Sequence, residues 1–298
     1  MVLLAAIAIY SLAPAMAAAE APKVVVTIRP LHGLVAGVMA GVAEPGLLVA
    51  GAQSPHHFAL APSSARQIQQ ADLVFVSGAG LMPALEDAVA RIAPHALIID
   101  LSRTPGLRLL ARRNVAHGHG GEAESGNTDP HFWLDPDNAK AMVFKVSSVL
   151  AKRDPAHAAR YVAGAAAMTE RLDRLAMEID RQLSPYRTHP FLVFHDAFQY
   201  FETRFGLNAL GAIAPAPETR PGAQHLSATR RKIDGPSKVC LFGEPGAQPA
   251  LLAMMARAGS ARTAELDPLG RSQQAGPEHY FAMMRAIAAS MTACFSAP

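Results

Sequence analysis

Three histidines stand in short, distinctive phrases: His56 in Ser54-Pro55-His56-His57-Phe58, His131 in Asp129-Pro130-His131-Phe132-Trp133-Leu134-Asp135-Pro136, and His195 in Phe194-His195-Asp196. Neutral imidazole is the commonest metal ligand. Three of them, with a fourth place for water or a carboxylate, suit Zn²⁺ at Zn–N distances of about 2.0–2.1 Å. The phrases lie too far apart for one helix or finger to carry them, so tertiary structure has to assemble any shared site. Thiolates are not expected to contribute, because the chain has only two cysteines and both have another use.

The elements that would position these side chains alternate between β and α. Lys23–Ile28, with its run Val24-Val25-Val26, and the apolar runs Leu47-Leu48-Val49, Asp72–Ser77 and Ala96–Leu101 read as buried strands. Helices are expected from Gly33 to Gly41 and from an opening Ala61-Pro62-Ser63-Ser64 to about Gln70, the latter with Ser63 as a candidate N-cap. Continuous apolar strands of this kind suit a parallel sheet covered on both faces. Asp154-Pro155 then opens a long helix, with Asp as N-cap, that runs to about Leu183. Its apolar positions are Tyr161, Ala165, Met168, Leu172, Leu175, Ile179 and Leu183. Afterwards the rhythm restarts: strand Phe191–Phe194, helix Gln199–Phe205, strand Lys238–Phe242, helix Pro249–Ala258, and a last helix from about Pro277 to Ala293. The long helix reads as a spine between two α/β lobes.

Composition bounds the function. With 298 residues, 50% hydrophobic and 17% charged, the chain is globular. A net charge of +3, with no basic stripe and no interleaved aromatics, gives no sign of a nucleic-acid partner. Val2–Ala19 is apolar and small, ending in Ala-x-Ala choices such as Ala15-Met16-Ala17, and reads as a cleaved secretory signal. Pro14 speaks against a spanning anchor. No Lys or Arg precedes this run, and a start upstream of Met1 is the expectation. Export to an oxidising periplasm makes Cys240 and Cys294 one expected disulfide; two buried thiols are the alternative if export fails.

The phrases around the three histidines, Phe194–Phe201 with Ala197-Phe198-Gln199-Tyr200, Gly243-Glu244-Pro245, and Leu266-Asp267-Pro268-Leu269-Gly270 together resemble the metal-binding solute-binding proteins of bacterial ABC transporters. The likeness is closest to the periplasmic zinc branch and covers nearly all of the mature chain. It implies two parallel-sheet α/β lobes joined by one long helix, with Zn(II) held in the cleft by His56, His131 and His195. The division it suggests is signal peptide 1–19, N-terminal lobe 20–153, linking helix 154–184 and C-terminal lobe 185–298. The family's manganese branch uses a carboxylate at the position of Asp267, so Asp267 is a candidate fourth ligand. Pro55 leaves no acid beside His56, so the alternative to Asp267 is water. The loop 117–126 stands where zinc members carry a His- and acid-rich insertion. Its His117, His119, Glu122 and Glu124 form a candidate weak accessory site, or else a solvated loop with no metal role.

The implied partner is a membrane permease, and the expected form a monomer. Within the same class, a manganese or broad divalent-metal binder is the second reading. A zinc hydrolase is a third, since three histidines and a water also describe catalytic sites. Against it, no H-E-x-x-H helix or G-x-S-x-G elbow is present, and no enzyme is expected. His32, His95, His157, His189, His225 and His279 have no supporting phrase and take structural roles. His57 should point away from His56 in an extended segment. Asp135 and Asp196 are loop or cap residues that could also orient an imidazole, Glu244 is a cleft residue without an assigned role, and Trp133 and Phe58 are expected to pack around the site.

Overall fold

A computed structural model of the chain describes residues 20–49, 55, 60–78, 80–113, 128–214, 220–234, 238–259 and 261–297. Strands β1 (Val24–Val26), β2 (Gly46–Leu47), β3 (Leu73–Val76) and β4 (Leu97–Asp100) form a parallel sheet in the order β2-β1-β3-β4. Strands β5 (Phe191–His195), β6 (Ala209–Ala214), β7 (Cys240–Gly243) and β8 (Arg262–Glu265) repeat that plan as β6-β5-β7-β8, again all parallel. The first strand of each half therefore lies inside its sheet, and the chain reverses its winding between β1 and β3 and between β5 and β7. In open α/β sheets, ligands gather at the carboxyl ends of the strands at such switch points.

The strands form where branched and aromatic residues run without a polar break. Every residue of β1, β3, β5 and β7 is buried, as the central strands of a sheet covered on both faces must be. The covers are helices: α1 (Arg29–Val38), α2 (Pro62–Gln69), α3 (Pro83–Ile92), α4 (Pro136–Arg153), α5 (Ala158–Leu183), α6 (Gln199–Phe205), α7 (Ala223–Ile233), α8 (Pro249–Gly259) and α9 (His279–Ser296). The expected spine is α5. Its 26 residues span about 39 Å at 1.5 Å per residue, and all seven apolar positions expected to face inward are buried. α5 packs against α1, α4 and α9, and one apolar core runs from the first sheet through these helices to the second. Backbones touch where α1 meets α5: a Cβ on Gly164 would stand 2.5 Å from the Val38 carbonyl oxygen.

Several boundaries differ from the sequence expectation for local reasons. α1 starts at Arg29 because Pro30 takes the first turn, where a missing N–H costs nothing. α2 starts at Pro62, so Ala61 is its N-cap and Ser63 lies inside the first turn without capping. Asp154 does not cap α5 through its side chain. The first turn, Pro155–His157, is a 3₁₀ turn, and the Asp154 carboxylate instead accepts from the His157 ring at 2.8 Å and the Tyr161 hydroxyl at 2.7 Å. The expected strand at 47–49 is shifted to Gly46–Leu47. α3, α4, β6, α7 and β8 were not anticipated.

Cys240 on β7 and Cys294 on α9 form a disulfide, as expected. It closes a loop of 54 residues, which in the chain-entropy view stabilises the fold by about 4 kcal/mol. Replacing both cysteines by serine should lower the unfolding free energy of the protein by about 2–5 kcal/mol in urea titrations. An unchanged midpoint would show that the bridge constrains little.

Two other histidines are structural. His32 on α1 donates Nε2–H to the Pro45 carbonyl at 2.9 Å, and His279 on α9 to the Gly270 carbonyl at 3.0 Å, while each Nδ1 is buried without a hydrogen-bond partner. Burial foremost, with the Arg29 charge adding to it, holds both imidazoles below their ordinary pKa of 6.5. The unfolded chain takes up these protons first on acidification, so the stability the neutral rings provide is present above 6.5 and lost as the pH falls below it. His32→Gln and His279→Gln should therefore lose less stability than the wild type between neutral pH and pH 5. Parallel stability curves would contradict that assignment.

Candidate metal centre

The second sheet supplies one half of the site. Residues 191, 193 and 195 of β5 alternate onto the face that meets the main core, and so do 240, 242 and 244 around β7. The register Val193↔Phe242 therefore brings the next pair on that face, His195 and Glu244, side by side at the carboxyl ends of the two strands. The contact is made: His195 Nδ1 donates to Glu244 Oε1 at 3.0 Å, with both side chains about 3% exposed.

The other half comes from the segment that leads into α4. Asp129 folds back so that its Oδ1 accepts both the His131 backbone N–H at 3.0 Å and the His131 Nδ1–H at 2.7 Å. A 3₁₀ turn, Phe132–Leu134, follows, and Asp135 caps α4 by accepting the Asp137 N–H at 2.9 Å. The rings of His131 and His195 stand 4.9 Å apart, edge to face, so two of the three sequence-predicted ligands do meet. His56, with His57 and Phe58, lies outside the described residues, as do His117, His119, Glu122 and Glu124. Among the described residues no three His, Cys, Asp or Glu side chains form a metal-holding group.

A carboxylate can only accept the Nδ1 proton of each ring, so in the neutral imidazoles the lone pair resides on Nε2. Burial foremost, with His195 beside it as a lesser cause, holds the His131 pKa well below the ordinary 6.5, which keeps that ring neutral. Burial likewise raises the Asp129 carboxyl to about 7, against the pull of the His131 N–H and of Arg113. Its second oxygen is buried with no hydrogen-bond partner. Around this centre Arg113 pairs with Asp196 and Glu202, while Asp129 and Glu244 hold the two imidazoles. Neutral nitrogen donors braced by carboxylates are chemically suited to a divalent cation.

The imidazole orienters are thus Asp129 and Glu244, in place of Asp135 and Asp196. Asp135 is occupied as a helix cap, and Asp196 pairs with Arg113. The local signal for Asp129 was its position two residues before His131. For Glu244 it was strand register, which a single sequence does not display. Trp133 packs its ring 5.4 Å from His131, fully buried, and its indole N–H donates to the Pro268 carbonyl at 2.9 Å. This bond brings the loop after β8 to the site. In that loop Asp267 accepts the backbone N–H groups of Leu269 and Arg271, so the carboxylate is already engaged in holding its own turn.

A histidine at a strand end and another from the turn before α4, each braced by a carboxylate where two like α/β halves meet over shared helices, are the arrangement of a metal-binding solute-binding protein. The family model of the zinc-uptake complex component A, periplasmic (ZnuA), matches residues 24–294, and the chain belongs to that family. It is similar to the high-affinity zinc uptake system protein ZnuA of Brucella suis biovar 1, 37% identical over 94% of this chain and 93% of the relative. It is also similar to that of Paracoccus denitrificans, 31% identical over 94% of each. Among solved structures it superposes on a crystal structure of ZnuA with a TM-score of 0.80 at 23% identity, covering 93% of this chain and all of the other. A similar match is FpvC of Pseudomonas aeruginosa in complex with Mn²⁺, with a TM-score of 0.77 at 19% identity over 93% of this chain and 98% of the other. Those two likenesses are likenesses of fold. No described helix is long and apolar enough to cross a membrane.

Removing the brace of either ring should loosen the metal without removing a ligand. Asp129→Ala and Glu244→Ala are each expected to weaken zinc binding about 10- to 100-fold in chelator competition, while Glu244→Gln, which keeps an acceptor, loses less. Wild-type affinity in both alanine variants would show that the carboxylates do not tune the site.

Proposed function

We propose that the mature chain, after removal of residues 1–19, captures Zn(II) in the periplasm and presents it to the membrane permease of a zinc ABC transporter. The observation that carries this reading is the buried His131–His195 pair at 4.9 Å, each ring braced through Nδ1 by a carboxylate. His56 completes the proposed ligand set, with Asp267 or a water in the fourth position and His117, His119, Glu122 and Glu124 as a weak accessory site. The functional division is an N-terminal lobe 20–153, a linking helix 154–184 and a C-terminal lobe 185–298, acting as a monomer and without nucleic acid.

Neutral nitrogen donors favour Zn²⁺ over Mn²⁺, which wants more oxygen ligands. The engagement of Asp267 by two backbone N–H groups weighs in the same direction, because it makes that carboxylate less available as an added oxygen donor. The role is binding and not catalysis. Asp129 and Glu244, the carboxylates in contact with the two rings, are both committed to imidazole protons, so neither is poised as a general base for water. Zinc uptake by neutral imidazoles is opposed by protons, so affinity falls with the pH. A core shared by both lobes favours exchange through local loop movement over wide opening.

The test is competitive titration of the metal-stripped mature protein with Zn²⁺ and Mn²⁺, alongside ligand variants. One tight zinc site, poorly filled by manganese, is expected. Alanine at His56, His131 or His195 should cost more than the ~10- to 100-fold typical of outer residues, and alanine at His117 or His119 much less. Preference for manganese would move the chain to the other branch, and no tight site would overturn the reading.

A further inference from the structure

His131 and His195 come from different halves of the chain, and two side chains tie the segments that carry them. Arg113 reaches from the segment before His131 into the second half. Its Nε donates to Asp196 Oδ2 at 3.1 Å, its Nη2 to Asp196 Oδ1, and its Nη1 to Glu202 Oε2 at 2.6 Å. Asp196 is the neighbour of His195, and Glu202 lies on α6, one turn after the residues that follow that histidine. The fork is sheltered, with the Arg113, Asp196 and Glu202 side chains 20%, 9% and 5% exposed. Tyr200, also on α6, makes the second tie. Its hydroxyl donates to the Asp129 carbonyl at 2.9 Å and accepts the Leu110 N–H at 3.0 Å, while the Asp129 N–H donates to the Leu110 carbonyl at 2.8 Å. Asp129 is the residue that braces the His131 ring.

We propose that Arg113 is a positioning residue for the metal, which by clamping Asp196 and Glu202 fixes the spacing of His131 and His195 before the metal arrives and so sets metal choice and release rate. The planar guanidinium suits this task because it can hold two carboxylates in fixed directions at once, which a lysine ammonium cannot. Tyr200 holds the same two segments from the opposite partner and supports the clamp. A pair of nitrogens held at one spacing favours a small, four-coordinate ion and penalises ions that need a wider, oxygen-rich shell. The inference rests on the zinc-capture reading above.

The experiment compares the wild-type mature protein with Arg113→Ala and Arg113→Lys, by circular dichroism, zinc and manganese competition, stopped-flow zinc release to a chelator, and the visible spectrum of the Co²⁺-substituted protein. With a wild-type far-ultraviolet spectrum and one metal per chain, Arg113→Ala is expected to release zinc about tenfold faster and to discriminate about tenfold less against manganese. Its cobalt band should also lose tetrahedral intensity. Arg113→Lys should fall between the two. Unchanged release, selectivity and cobalt spectrum in a folded Arg113→Ala would overturn the proposal. If that variant does not fold, Arg113→Lys decides alone: altered release and spectrum support the clamp, and wild-type behaviour overturns it. A wild type without tight zinc binding would instead overturn the uptake reading and take this proposal with it.

Discussion

Two imidazoles 4.9 Å apart can share one cation only if both are neutral and both turn the same nitrogen toward it. The carboxylates of Asp129 and Glu244 set the second part of that condition by accepting hydrogen bonds from Nδ1–H, which leaves the lone pair of each neutral ring on Nε2. Everything else around the centre follows from the need to bury these acids beside the rings. Burial alone would drive carboxylates toward their protonated forms, as it does Asp129 and Glu202, each raised to about 7. The guanidinium of Arg113 offsets part of that pressure on Glu202. Burial works to lower the Arg113 pKa, but Glu202 and Asp196 more than offset it, so the charge on that side chain persists.

The fold makes such a centre inexpensive to assemble because it uses one plan twice. Each half winds as a parallel sheet with its first strand inside, and the second half places His195 and Glu244 at its switch point by register alone. The helices α1, α4, α5 and α9 then supply a common floor, and the disulfide fixes the last of them to β7. The His195 half of the centre therefore sits at the end of a central strand, and the His131 half on the turn that opens α4.

Much of this was legible from residue order. Branched runs announced the central strands, the spacing of seven apolar residues announced α5, and Gln199–Phe205 was read at its true bounds. The elements that escaped are those whose character comes from their surroundings. β6, Ala209–Ala214, is built of small residues with little β signal, and β8, Arg262–Glu265, is a half-exposed edge strand that reads as a loop. α4 gives a weak signal because polar and charged residues such as Lys140, Lys145 and Ser147 interrupt its apolar face. In the site, the histidines were recognisable as ligand types, whereas their braces depend on register and on a turn. Nearness in sequence pointed to Asp135 and Asp196, but nearness in space selected Glu244 and Asp129. The Arg113 fork involves contacts across 80 residues or more, which no local pattern encodes.

The chain contains one tryptophan, and it is Trp133. Its indole is fully buried, stands 5.4 Å from the His131 ring, and is hydrogen-bonded to the loop that carries Asp267. The protein thus carries its own optical gauge. All indole emission originates in one uniform environment, next to a ring whose electron density changes when a cation occupies Nε2. Any change at the His131 ring would therefore reach a single indole, with no background from a second fluorophore of this type.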